Sequence, residues 1–260
     1  MEDLTYLKFE AQEGVAIITL EHPKVNSLSP PLVAELRDTL HHCRYSESVR
    51  CVVITAAGPF FSAGADVQLM LTAGDQIEVE TRKMAEVLHE TLSIIMRMEK
   101  PVITAVNGFV AGGGMGLALA GDIVVAAEGA KFTLAYTHSG LTPDGGSTYI
   151  LPRLIGIRRT MELAFTNRSL SAKEALEWNM VTQVVPDGQL RETALGLAKK
   201  LAKGPTDAYG YIKKLMLMTY SNTLEAQTDF EKEGIAHQLS SYNGQEGVKA
   251  FVEKRKPNFK

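Results

Sequence analysis

The positions best placed for chemistry in this sequence are mostly ones without a side chain. Lys100-Pro101-Val102-Ile103-Thr104-Ala105-Val106-Asn107-Gly108 reads as a buried strand closed by a turn signal. Gly112-Gly113-Gly114 then leads into Leu117-Ala118-Leu119-Ala120, a short apolar helix. A strand that delivers a glycine turn into a helix start leaves backbone N–H groups without acceptors, beside positions that carry no bulk. Such groups can bind an anion, or an oxygen that becomes one during a reaction. On spacing alone, a tight turn that lets helix and strand approach closely is the simpler reading. Two phosphate motifs fail: a dinucleotide fingerprint begun at Gly112 needs glycine where Leu117 stands, and no Gly-Lys-Ser/Thr closes the run.

A second glycine turn, Phe60-Phe61-Ser62-Ala63-Gly64-Ala65-Asp66, also lies between a strand and a helix pattern, with Asp66 read as the helix-terminal residue whose carboxylate meets backbone N–H groups. A further acid, Asp144, lies within Gly140-Leu141-Thr142-Pro143-Asp144-Gly145-Gly146-Ser147. Pro-Asp-Gly-Gly is turn chemistry, so Asp144 has two open roles: a cap on the helix through Tyr149 to Ile155, or an acid or base in a pocket. His89 sits on a long helix through Leu88, Leu92, Ile95 and Met96, where a lone histidine is more often a surface or core residue than a catalyst.

These residues need a sizeable scaffold. The chain has 260 residues, 45% of them hydrophobic, enough for one domain with a large core. A net charge of −3 gives no footprint for nucleic acid or an anionic membrane. Cys43 and Cys51 form no Cys-x-x-Cys pair, which excludes a disulfide scaffold or structural zinc. No secretory signal opens the sequence and no apolar run reaches the roughly 18 residues of a membrane span, so a cytoplasmic location is expected. Tyr6–Glu10 and Val15–Leu20 read as a hairpin, Leu32 to Cys43 as a helix, Val49–Thr55 as a buried strand, and Asp122–Ala127 and Ala130–Leu134 as further strands. Gly74 to Arg82 is a charged stretch expected to be mobile. From Arg158 the pattern is almost all helical. The sequence therefore divides into a core over 1–195 and a helical region over 196–260, whose Leu215-Met216-Leu217-Met218, Val248, Phe251 and Val252 offer apolar surface for docking or oligomerisation.

With both glycine turns in order, and with Phe251-Val252-Glu253-Lys254-Arg255 near the end, the chain resembles the crotonase, or enoyl-CoA hydratase/isomerase, superfamily over essentially its whole length. That resemblance implies an α/β spiral of ββα units closed by a C-terminal helical trimerisation region, as trimers or pairs of trimers. It implies an acyl-CoA substrate and no separate cofactor, metal, nucleic acid or membrane partner. The thioester carbonyl would sit in an oxyanion hole made by the N–H groups of Ala65 and Gly113. CoA contacts would come from Lys24, Val25, Asn26 and Leu28, from Ala63 and Asp66, and from Phe251 and Lys254 meeting the CoA of a neighbouring subunit.

Hydratases of this superfamily carry two glutamates at positions that are Gly116 and Tyr136 here. Isomerases carry a single acid where Asp144 stands, and the surrounding stretch resembles the ring-isomerising branch of phenylacetate degradation. The expected activity is therefore a double-bond shift with Asp144 as acid and base. The second reading is hydrolysis like that of 4-chlorobenzoyl-CoA dehalogenases, with Asp144 as nucleophile, His89 as base and Tyr136 where those enzymes place a tryptophan. Hydration ranks third, and a non-catalytic acyl-CoA-binding role stays open.

Overall fold

Short buried strands separated by glycine and proline turns make this chain coil rather than meander. The computed structural model describes residues 4–23 and 25–260. β1 (Leu7–Gln12) and β2 (Val15–Leu20) pair as an antiparallel hairpin across Glu13-Gly14, both with positive φ. α1 (Pro30–Tyr45) follows, started by Pro30-Pro31 and burying Leu32, Val33, Leu36, Leu40 and Cys43. Three turns of a spiral come next. The first is β3 (Cys51–Ala56), β4 (Phe60–Ser62), α2 (Val67–Leu71) and α3 (Ile77–Arg97). The second is β5 (Val102–Val106), β6 (Phe109–Ala111) and α4 (Gly113–Leu119). The third is β7 (Ile123–Ala127), β8 (Lys131–Thr133) and α5 (Ser147–Thr166). The chain ends through β9 (Leu170–Ser171), α6 (Ala172–Glu177), β10 (Gln183–Val185), α7 (Leu190–Ala202), α8 (Thr206–Met218), α9 (Leu224–Ser240) and α10 (Tyr242–Val252).

In each turn the first strand joins a six-stranded sheet, ordered β1-β2-β3-β5-β7-β10, and the second joins a four-stranded sheet, ordered β4-β6-β8-β9. All neighbours pair in parallel except β1 with β2 and β8 with β9. Both faces of the large sheet are covered, which explains why β3, β5 and β7 read as unbroken apolar runs. One face carries the main core with α1 and α3; the other packs Val53, Ile103, Ala105 and Val125 against Ala194, Ala198 and Ala202 of α7. Small residues four apart let that helix lie close on the sheet. The boundary placed at 195 falls inside α7, whose two halves both belong to this layer.

Two elements differ from the sequence expectation. α4 begins at Gly113, inside the glycine run rather than at Leu117, because every residue from Gly113 to Leu119 is buried and packing overrides low helix propensity. The charged stretch from Gly74 to Arg82 is a 3₁₀ turn and the first turns of α3, with Arg82 paired to Glu78 and Lys83 to Glu80. Among the described residues no helix is long and apolar enough to cross a membrane.

A partly buried ion pair fastens α8 to the core. Lys213 Nζ donates to Asp122 at 2.8 Å and also to the carbonyls of Ile95 (2.9 Å) and Lys100 (3.2 Å), while Asp122 accepts the Val102 N–H at 2.7 Å. Burial pushes the Asp122 carboxyl up and the Lys213 ammonium down, each partly offset by the other's charge. Removing one partner strands the other charge. Lys213→Met should therefore lower stability to urea by about 2 kcal/mol, and adding Asp122→Asn should recover part of the loss. A loss under about 1 kcal/mol would class the pair with ordinary surface bridges.

Candidate active site

Because β4 and β6 are parallel neighbours, the turns that follow them lie side by side. Their contact is backbone on backbone. Gly64, at φ +85°, has no room for a side chain: a Cβ there would stand 2.8 Å from the Ala111 carbonyl oxygen and 3.2 Å from the Gly113 nitrogen. A Cβ on Gly114 would stand 2.8 Å from Ser62 Cβ and from its carbonyl oxygen. Gly112, at φ +52°, turns the chain into α4, whose first N–H groups have no acceptor within the helix.

The 25–28 segment holds the first turn in place. The Ala63 N–H donates to the Val25 carbonyl (3.1 Å), the Leu28 N–H to the Gly64 carbonyl (2.8 Å) and Ser62 Oγ to the Asn26 carbonyl (2.8 Å), while Leu28 bridges Ala65. Asn26 is buried: its Nδ2 donates to the carbonyls of Ala57 (2.9 Å) and Phe60 (2.8 Å), and its Oδ1 accepts the His22 N–H at 2.8 Å. The Asn26 side chain is thus a staple of the fold, with no N–H left for CoA. Val25 is exposed at the rim, Leu28 is buried beneath Gly113, and Lys24 lies outside the described residues. Among the described residues, the N–H groups of Ala65 and Gly113 are given to no protein acceptor. Both line one narrow cavity together with Asp144, walled by Leu28, Met84 and Leu88.

Asp144 does not cap its helix through its side chain. The N-cap of α5 is Gly146, at φ +70° and without a side-chain cap bond; it is the Asp144 backbone carbonyl that accepts from the Ser147 N–H (3.1 Å) and Oγ (2.6 Å). The carboxylate faces the cavity, where Oδ1 accepts the Tyr136 hydroxyl at 2.5 Å and stands 3.8 Å from where a Gly113 Cβ would be. Tyr136 opens a short 3₁₀ turn entered through Ala135 at φ +57°. Burial, reinforced by the charge of Asp144 and its hydrogen bond, pushes the Tyr136 phenol far up, so it stays a donor. In sequence Tyr136 stands both where hydratases carry a glutamate and where dehalogenases carry a tryptophan; the fold brings its hydroxyl onto Asp144.

Position 116 is closed to any acid. A Cβ on Gly116 would stand 1.6 Å from the Gly145 carbonyl oxygen, so the backbone carrying Asp144 fills the space a side chain would use. His89 is exposed on α3, yet it lines with Asp144 a larger cavity of about 450 Å³. Asp66 stands just before α2 and lines an adjoining cavity with Met70 and Met84, and Ala63 is half-buried in the turn itself. Phe251 and Lys254 lie at the end of α10 and just beyond it, Phe251 85% exposed, and neither lines the cavities at Asp144 within this chain. Among the described residues no group of three or more His, Cys, Asp or Glu side chains is arranged to hold a metal ion.

Three comparisons bear on this geometry. The family model described as enoyl-CoA hydratase/isomerase matches residues 10–260. The 1,2-epoxyphenylacetyl-CoA isomerase of Escherichia coli (strain K12) is 38% identical over 98% of both chains, and the 4-chlorobenzoyl coenzyme A dehalogenase-2 of an Arthrobacter species is 34% identical over 88% of this chain and 84% of its own. The crystal structure of an enoyl-CoA hydratase from Bacillus anthracis superimposes with a TM-score of 0.93 at 34% identity, covering 98% of this chain and 99% of that one.

The glycine contacts make opposite predictions at two positions. Gly116→Ala must displace the Asp144 loop, and should cost about 2 kcal/mol of stability as overpacking does. Gly196 lies exposed within α7 with nothing near a Cβ, so Gly196→Ala should instead gain about 0.5–1 kcal/mol. Thermal or urea unfolding at fixed protein concentration checks both; a neutral Gly116→Ala would mean the loop yields freely.

Proposed function

The chain belongs to the enoyl-CoA hydratase/isomerase family, and from that premise we propose that it is an isomerase moving a double bond in a CoA thioester by 1,3-proton transfer. The observation that carries this reading is the single acid. Asp144 shares a cavity with two unpaired N–H groups, and the Gly145 carbonyl occupies the place of a second carboxylate. In the proposed reaction the thioester oxygen rests on the N–H groups of Ala65 and Gly113. Asp144 takes a proton from the carbon next to the carbonyl, giving a dienolate whose negative oxygen those donors stabilise. The same carboxyl returns the proton two carbons further on. A preorganised donor of this kind is worth about 3 kcal/mol of barrier, and a positioned acid–base about 10²–10⁴ in rate. The shift is redox-neutral and calls on no cofactor beyond the CoA of the substrate. Tyr136 fixes one carboxylate oxygen and leaves the other for the substrate.

A second reading has its own support: His89 and Asp144 line one cavity, and Tyr136 holds the carboxylate that would attack an aryl carbon. One substrate set separates the two. A 3-enoyl-CoA should become the 2-enoyl isomer, crotonyl-CoA should hydrate slowly or not at all, and 4-chlorobenzoyl-CoA should release little chloride. Chloride with an aryl ester trapped on Asp144 would invert the ranking. Asp144→Asn should remove nearly all isomerisation while acyl-CoA affinity stays within a few fold; an active mutant would overturn the assignment and favour an acyl-CoA-binding role. Tyr136→Phe should lower kcat about 10- to 100-fold with little change in KM, matching a lost hydrogen bond to a charged group.

Assembly belongs to the same proposal. The C-terminal helices expose Leu224, Ile235, Phe251 and Val252, which suits a trimer or a pair of trimers in which Phe251 and Lys254 approach a neighbour's CoA. Light scattering at micromolar concentration should give a trimer or hexamer; a monomer would overturn both statements.

A further inference from the structure

We infer that the acyl group taken by this site is an extended apolar chain whose far end passes between Met96 and Leu217 into a second chamber. The inference rests on reading the Ala65–Gly113–Asp144 cavity as an acyl-CoA site, and adds the class of acyl group. The thioester end is confined, because that cavity is narrow and walled by Leu28, Met84 and Leu88. Beyond Asp144 the space opens into the cavity of about 450 Å³, far more than a four-carbon acyl group fills. It follows one face of α3 through His89, Leu92, Ser93 and Met96, a run of about 10 Å along the helix.

The cavity does not end at Met96. A further cavity of about 380 Å³ adjoins the first and shares Met96, Tyr149, Ile150 and Leu217 in its lining, and these side chains are the waist of the proposed route. Leu119, Leu154, Ile212 and Met216 give the second chamber an apolar lining. Part of its charge is engaged within the chain. Lys213 is bound to Asp122 and two carbonyls, while Arg153 lies 3.6 Å from the Tyr149 ring and 5.2 Å from that of Tyr220, donating to the Tyr149 carbonyl at 2.8 Å. Methylenes would find apolar wall there and a flexible methionine at the entrance. This also gives part of the apolar Leu215–Met218 run a role within the chain: Met216 and Leu217 face the chambers.

The test uses saturated butyryl-, octanoyl- and decanoyl-CoA, whose binding by calorimetry needs no chemistry. Affinity should rise with chain length by up to about fourfold per methylene that reaches apolar wall, and by at least about thirtyfold from butyryl to decanoyl. Values flat to within about threefold would overturn the inference. Leu217→Trp fills the waist and should bring the decanoyl-to-butyryl ratio toward one. Ile212→Trp, at a position 52% exposed and lining only the second chamber, should lower the same ratio and covers the case in which the Leu217 variant folds poorly. A ratio kept by a folded Ile212→Trp would overturn the route. The two proposals fail separately. Length-dependent binding without isomerisation of any 3-enoyl-CoA sinks the isomerase reading alone, and isomerisation with flat affinities sinks the chamber alone.

Discussion

Everything at this site depends on two strand-to-helix turns meeting without side chains between them. Gly64 lies against Ala111 and Gly113, and Gly114 lies against Ser62, at separations that no Cβ tolerates. The spiral makes the meeting unavoidable, since β4 and β6 are adjacent in the small sheet and both turns leave its same end. The glycines then determine how near the turns come. Two N–H groups held by backbone packing need no reorganisation when charge develops on an oxygen, which is where such donors gain most over water. The 25–28 segment supplies the remaining constraint, fixing Ala65 through Leu28 and through the internal hydrogen bonds of Asn26.

The small number of polar groups around Asp144 follows from the same packing. Leu28, Met84 and Leu88 wall the space between the two turns and Asp144. In such surroundings an isolated carboxylate is costly, and the Tyr136 hydroxyl offsets part of that cost by a hydrogen bond to charge. Burial and the neighbouring carboxylate push the phenol's pKa up, which favours its role as donor. Two side chains eight residues apart form one unit across a loop that glycines and a positive-φ alanine bend back on itself.

Much of the scaffold was legible from sequence. The first hairpin, α1 and the strands β3, β5 and β7 follow from periodicity, and the spiral from the family resemblance carried by the two glycine turns. What escaped was decided by tertiary contacts. Pro-Asp-Gly-Gly suits a capping aspartate and a pocket aspartate alike; Gly146 taking the cap position and Tyr136 taking the carboxylate settle which one it is. Asn26 matched a CoA-lining segment by position, yet its amide closes bonds to chain lying more than thirty residues away. The helical start at Gly113 is invisible to propensity, because glycine disfavours helix everywhere except where packing admits nothing larger. α7 presents alanines to the sheet, a weak apolar signal that made the core look complete before it was.

The contact between Gly116 and the Gly145 carbonyl also bears on how one kind of site changes into another. A lineage carrying this loop cannot acquire a second acid at 116 by a single substitution, because the first step collides with backbone already in use. The loop must be rebuilt beforehand, at a time when its rebuilding brings no advantage of its own. An acid at 116 therefore takes an ordered pair of events on this backbone, the loop first and the side chain second. Overall identity to a relative says little about position 116, where a single carbonyl oxygen decides what the backbone admits.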